Sequence, residues 1–354
     1  MAGLDEAQLK AKHSEEVEHL QNVIRERERE VKEYRKEHGK LANFFRQLNA
    51  AIEPIDPLPS EYKPRVGTRK TAGVCAAVMQ STDGHHGEQQ EASEVEGFGE
   101  FSPEIGEQRQ LGFARDVVEW VELHRHSYEV PELHHLVTGD MISGDIHDEL
   151  RITNAWPSPV QAIRAGALLA RQVEITAPHF EHVVVEFIVA DNHSRLTAKP
   201  QAKEAGLNSL NYVVGHYAKA LLADHANVEF NIYPQHEQVV HVLNRQYLIC
   251  HGHDVRGWMG MPWYGIERKM GRESMARLQV IMEDIGRARE VGFHRYVFGH
   301  WHVPVDLPLY MASGSVSGTN AYDHQQGRHA RPSQSAWLVH PEHAEIDRTN
   351  FTLG

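Results

Sequence analysis

The chain has 354 residues, 41% of them hydrophobic and 24% charged, with a formal net charge of −13. That size suits one large α/β domain with an appendage, and the acidic balance excludes a surface built for indiscriminate nucleic-acid binding, though not a local basic groove. With two cysteines (Cys75 and Cys250, read as reduced core residues), no apolar leader and no apolar run near the ~18–20 residues a bilayer needs, the chain is expected to be soluble and cytoplasmic.

Residues 5–52 hold no proline and are dense in Glu, Lys, Arg and Gln. Val17, Leu20, Ile24, Val31, Tyr34, Leu41, Phe45, Leu48 and Ile52 recur at spacings built from threes and fours, a heptad seam that predicts an α-helical coiled-coil extension over 1–53. So thin a stripe buries little alone, so a homo-oligomer through this helix is expected, against a single solvated helix. Pro54, Pro57, Pro59 and Pro64 then mark a stiff linker over 54–72.

From 73 to 354 the pattern alternates between strands and helices. Strands are predicted at 73–80, 133–138, 183–190, 246–250 and 295–298, helices at 108–123, 159–177, 202–224 and 273–291, with short strand-like pieces after Leu307. The acidic, glycine-containing stretch 87–106 reads as a mobile loop. This is an α/β sandwich pattern, in which ligands gather beyond the carboxyl ends of strands.

Each predicted strand closes on metal-type donors: Asp83-Gly84-His85, then Gly139-Asp140, Asp191-Asn192-His193, His251-Gly252-His253 and Gly299-His300-Trp301-His302. A single His-x-His means nothing here, since 26 histidines give about two such pairs by chance and three occur. Five ordered donor clusters, one after each apolar run, do point to a metal centre. Asp and His donors suit borderline divalent cations, a carboxylate such as Asp140 can bridge two of them, and Gly139, Gly252 and Gly299 permit sharp turns beside the donors. His86, His134 and His135 read as structural. Trp258, Trp263 and Tyr264 could stack on a base or simply pack a loop, and Arg256, Arg268 and Lys269 could meet phosphate or only solvent.

The order of these motifs resembles the calcineurin-like metallophosphoesterase superfamily over residue 73 to the end. Asp83-Gly84-His85-His86-Gly87 is similar to the DNA-repair exonuclease branch. Asn192-His193-Ser194-Arg195-Leu196-Thr197 and Gly314-Ser315-Val316-Ser317-Gly318-Thr319 resemble stretches of phage-encoded members, which would place the protein in a host cytoplasm. The resemblance implies a four-layer α/β/β/α sandwich and two divalent metal ions, Mn first, with Fe, Zn, Ni, Co or Mg as alternatives. Asp83, His85 and His302 would hold one ion, Asn192, His251 and His300 the other, with Asp140 between them. A hydroxide bridging the ions would attack phosphorus, and His193 would contact phosphate and assist the leaving group. Arg195 and His253 are candidate substrate contacts. The chain departs from the family at Asp191, where Gly is usual, and at Ser194, where many members have Asp. Asp191 is expected to raise cation affinity or to hydrogen-bond a ligand histidine.

The leading expectation is a metal-dependent phosphodiesterase or nuclease acting on DNA in phage DNA processing. The alternatives are a phosphatase or phosphodiesterase for small nucleotides, which the net acidity favours, and a catalytically idle assembly protein working through its coiled coil. The complete donor set speaks against the last.

Overall fold

The computed structural model describes residues 21–22, 24–29, 32, 73–146, 148–257 and 260–354. Nearly all of the expected coiled coil and the whole proline linker lie outside the described residues; the described positions between 21 and 32 are helical and exposed.

From Gly73 onward eleven strands are described: β1 (Val74–Ser81), β2 (Glu129–Val137), β3 (His182–Ile188), β4 (Val228–Tyr233), β5 (Glu237–Val242), β6 (Arg245–Cys250), β7 (Arg295–Phe298), β8 (Val305–Asp306), β9 (Tyr310–Ala312), β10 (Ser333–His340) and β11 (Ala344–Thr352). Helices α1 (Pro103–His124), α2 (Asp148–Thr153), α3 (Ser158–Thr176), α4 (Asn211–Leu221), α5 (Trp263–Glu283), α6 (Ala288–Val291) and α7 (Ala321–Gln325) connect them. The strands form two mixed sheets, ordered β11-β10-β1-β2-β3-β4 and β5-β6-β7-β9-β8. In the first, β1 to β4 run parallel; in the second, β6, β7 and β9 do. Parallel neighbours end at the same edge, so the donor-bearing loops after β1, β2, β3, β6 and β7 emerge together.

Three apolar clusters set the layers. Ala77, Met79, Leu133 and Val185 on one face of the first sheet pack on Phe113 and Val117 of α1, Leu169 of α3 and Val214 of α4. Ala76, Val78, Leu136 and Ile188 on its other face meet Tyr247, Ile249 and Val297 of the second sheet. The outer face of that sheet, Leu248, Cys250, Tyr296 and Phe298, is covered by Val255 and by Ile266 and Met270 of α5. The alternation of strand residues between faces delivers this directly. Both cysteines are buried and free, and among the described residues no helix is long and apolar enough to cross a membrane.

Several expectations are corrected. The helix expected at 202–224 forms only at Asn211–Leu221; the backbone just before it is engaged elsewhere, Leu196 N donating to the Asn208 carbonyl and Leu210 N to that of Ser194. The helix expected at 273–291 starts ten residues earlier, behind Pro262, and stops at Asp284, whose side chain accepts from Gly286 N. Trp263 and Tyr264 are therefore in its first turn rather than in a loop, and Trp258 lies outside the described residues. The acidic stretch 87–106 is packed: Gln90 and Phe101 exchange backbone hydrogen bonds, and Val95 and Phe101 are buried. From Ser102, which caps Ile105 N, it is already the start of α1, with Pro103 at the first position.

Candidate metal centre

The loops that close β1, β2 and β7 are strained where they present donors. Asp83, His85, Asp140, His300 and His302 all have positive φ, between 42° and 69°, a conformation that costs a non-glycine residue on the order of 1–3 kcal/mol. Glycine supplies the rest of the turning: Gly139 (φ 98°) leaves no room for a Cβ, which would touch the His251 ring at 2.8 Å. At Gly299 a Cβ would lie 2.5 Å from Asp83 Oδ2, so here the need is for space rather than for unusual φ. Asp191, standing where the family resemblance expects glycine, is not among the positive-φ residues, so its turn has no need of one.

Two donor triads result. Asp83, His85 and His302 bring one carboxylate oxygen and two ring nitrogens within 4.8 Å of one another, as do Asp140, His251 and His300. Asp140 also forms such a group with His85 and His193, which places its carboxylate between the two triads. In the first triad, His85 Nε2 and His302 Nε2 are 3.0 Å apart, and Asp83 Oδ1 is 3.5 Å from the latter. In the second, His251 Nε2 is 2.9 Å from both Asp140 Oδ2 and Asn192 Oδ1. All seven residues of the expected ligand set therefore converge on one centre.

The triads are braced differently. His302 Nδ1 bonds the buried Asp323 carboxylate, whose other oxygen takes Arg328 Nε at 2.9 Å. His251 Nδ1 instead donates to the Thr138 carbonyl at 2.9 Å. Asp140 is fixed by its own backbone: its N–H donates to Asp191 Oδ2 at 2.8 Å, and its Oδ1 accepts from His193 N at 3.0 Å. Asp191 also accepts from Ser194 and Asn211, so it organises the Asn192–His193 turn; its hydrogen bonds go to these groups and to Asp140 N rather than to a ligand histidine, one of its two expected roles.

The electrostatics divide the ligand histidines: His85 and His300 are held down, whereas nearby carboxylates lift His251 and, against burial, Asp323 lifts His302 well above the usual histidine range. Burial, then the neighbouring His193 and His302, hold His85 well below the usual histidine range, and burial, then His251, does the same to His300. Both rings therefore stay neutral with a lone pair to offer. Burial opposes charge on His251, but the Asp140 carboxylate outweighs it and lifts the ring to about 9. Burial raises Asp140, yet His251 and His193 together hold it well below the usual carboxylate range. Carboxylates, imidazoles and one amide oxygen, buried and converging, are a donor set that fits borderline divalent cations.

His193 stands at the rim. Its Nδ1 bonds the Ser143 carbonyl at 2.7 Å, which turns Nε2 toward the centre, 4.0 Å from Asp140 Oδ2. His253 is a neighbour of the second triad, its ring centroid 5.6 Å from that of His251. Burial, then His251, depresses it to about 4. The Arg195 guanidinium bonds the carbonyls of Asn192 and Thr197, so it is turned onto its own loop. Lys269 is engaged by Asp254 at 2.6 Å and by Glu237 and Glu273 at 3.4 Å, while Arg256 and Arg268 are exposed. His86 and His135 are buried, with His135 Nε2 2.8 Å from Ser81 Oγ.

Three contributors escaped the sequence reading. Asp323 and Arg328 follow no predicted strand; the local signal was Asn320-x-x-Asp323 at a helix start, where Asn320 Oδ1 takes Asp323 N at 2.9 Å. Glu88 is buried with Oε2 4.0 Å from His85 Nδ1, and burial pushes its carboxyl up to about 7.

No family model matches the chain, and no curated protein does. Among solved structures it is similar to vacuolar protein sorting 29 from Cryptosporidium parvum, at 11% identity over 79% of this chain and 99% of that one, with a TM-score of 0.30. It is also similar to a conserved uncharacterized protein of Streptococcus pneumoniae described as a predicted phosphoesterase (11% identity, 79% and 98% covered, TM-score 0.26). A third is the Thermus thermophilus sulfate thiohydrolase SoxB in complex with glycerol (10% identity, 79% and 56% covered, TM-score 0.32). Likeness at this level carries no activity from one protein to another.

Proposed function

We propose that this chain is a metal-dependent phosphoesterase that cleaves phosphodiesters, with DNA as its leading substrate. The observation that carries the reading is the position of Asp140, whose carboxylate belongs to donor groups on both sides and can serve two cations at once. Asp83, His85 and His302 would hold one cation and Asn192, His251 and His300 the other; bound there, the pair would polarise a phosphoryl oxygen and activate water at neutral pH. Mn is the first cation to try, since mixed nitrogen and oxygen donors accept several.

The chain's own residues then divide the work. The rigid strand ends hold the donors in place, and the strained turns keep them aimed inward. His193, locked by Ser143 and by its backbone bond to Asp140, presents Nε2 to the reacting phosphate and gives a proton to the departing oxygen. Arg195 supports the loop carrying Asn192 and His193, and His253 flanks the second triad, where a substrate oxygen would pass.

A second reading, a small nucleotide ester, is favoured by the engagement of two candidate phosphate contacts inside the chain. Lys269 and Arg195 are both occupied within the chain, and the net charge is −13. The test is hydrolysis of bis-p-nitrophenyl phosphate and of single- and double-stranded DNA with Mn, using the wild type, Asp140→Ala and His193→Ala. Metal-dependent diester cleavage lost with Asp140 supports the phosphoesterase. Cleavage of the small ester without DNA selects the second reading, and no turnover of any ester rejects both.

A further inference from the structure

Helix α5 contributes little to the core for its length. Of its 21 residues only Ile266 and Met270 are buried. The opposite side carries Met275, Leu278 and Met282, continued just past the helix by Ile285, with exposures of 68, 47, 79 and 78%. Spacings of three, four and three put them on one stripe. Gly271, one turn earlier on that stripe, is exposed, and a Cβ built there would meet nothing within 4 Å. A continuous apolar stripe left in water marks an interaction face.

The stripe is complementary to itself when reversed. Laid antiparallel on a second copy, Met275 opposes Leu278 and Gly271 opposes Met282, because both pairs are symmetric about the point between residues 276 and 277. Large meets small at Gly271, which lets two helix axes approach to the usual ~8–10 Å. The flank beside the stripe runs Arg268, Arg272, Gln279, Glu283, and the same reversal brings Arg268 to Glu283 and Arg272 to Gln279, within one residue of the same centre. Among the described residues Arg268 and Arg272 form no ion pair, whereas Lys269 and Arg277, toward the core side, are taken up by Glu237 and Glu273. Of these two outward-facing cations, Arg268 meets a complementary charge, Glu283, on a reversed copy, and Arg272 meets the neutral Gln279.

We propose that α5 is a self-association face, on which a second copy of this chain packs its own α5 antiparallel, apolar stripe on stripe, with Arg268 of each copy against Glu283 of the other. An unrelated partner would require an apolar stripe but not this palindromic order of size and charge.

Sedimentation equilibrium of the full chain at micromolar concentrations tests it, the expected species being a reversible dimer of twice the 40.2 kDa chain. Met282→Glu buries an unpaired charge and should raise the dissociation constant at least about tenfold. Arg268→Glu and Glu283→Arg should each weaken the dimer about threefold or more, and the two changes on one chain should restore it. Mixing a Gly271→Cys chain with a Met282→Cys chain should give an oxidised heterodimer. All of these positions are exposed, so far-UV circular dichroism should show the wild-type fold, while the weakened dimers unfold at somewhat lower temperature at equal concentration because association stabilises the folded chain. A chain that stays monomeric overturns the proposal. So does a dimer indifferent to Met282→Glu, which would put association elsewhere, such as the N-terminal heptads, and so does failure of the double charge exchange to restore pairing.

Discussion

Asp140 belongs to the second donor triad and groups as well with His85 of the first, yet the two triads are built on different support. The first hangs on charge: His302 leans on Asp323, which leans on Arg328, all buried. The second hangs on the backbone: His251 donates to the Thr138 carbonyl, and Asp140 takes its place from the Asp191 carboxylate through its own N–H. A carboxylate behind a ligand histidine makes the ring a stronger donor, whereas a neutral carbonyl only orients it. Two half-sites of similar composition are therefore expected to differ in affinity, the first holding its cation more tightly.

The largest way to break this picture is Asp140→Ala, which removes the group common to both halves and should abolish measurable turnover; residual diester hydrolysis near the wild-type rate would contradict the shared role. Next comes His193→Ala. It should lower kcat about 10²–10⁴-fold while two cations still bind, since the ring moves protons and is braced by Ser143 rather than by a cation. Loss of a cation in that variant, read by calorimetry, would make His193 a ligand instead.

Asp323→Asn and Asp191→Asn sharpen the comparison directly. The first should weaken one cation about 10–100-fold and leave the other alone. The second should loosen the Asn192–His193 turn and act on the other half-site, with a fall in kcat. If both variants weakened the same cation, the two halves would not be separately supported.

A pH profile separates acid loss of the cations from acid loss of the fold. Burial holds His135 down to about 3 against an ordinary 6.5. Its folded value is depressed, so its contribution is fully present above about 6.5 and is lost as pH falls from there toward about 3, at up to about 1.4 kcal/mol per pH unit. In His135→Gln that part of the acid dependence, followed by denaturant unfolding, should disappear.

How much of this was legible follows from where the information sits. Strand ends carrying Asp83, His85, Asp140, Asn192, His251, His300 and His302 stand out because apolar runs stop abruptly at them, and a parallel sheet gathers such ends on one edge. Strands β4 and β5 carry no clear apolar run, because Glu229 is exposed and Asn231, Glu237 and Gln238 stand at half-buried positions. The helix expected at 202–224 is shorter in the structure because the pairing of Ser194 and Leu196 with Asn208 and Leu210 takes up the backbone before it and leaves no helical or strand periodicity to read. Asp323 and Arg328 leave no trace in the sequence for a related reason: Asp323 reaches His302 from α7, after β9, Arg328 reaches Asp323 from just beyond that helix, and only the folded chain shows a carboxylate and a histidine 21 residues apart in contact. Asp191 stands out as a departure, and of its two expected roles the hydrogen bond to a ligand histidine is replaced by one to the Asp140 backbone.

The central claim is that two cations meet at Asp140. Calorimetric titration of the metal-free chain with Mn, wild type beside Asp140→Ala, tests it most directly. Two equivalents per chain, of unequal affinity and both weakened in the variant, are the predicted result. A single equivalent, or two equivalents that ignore the loss of Asp140, would contradict it.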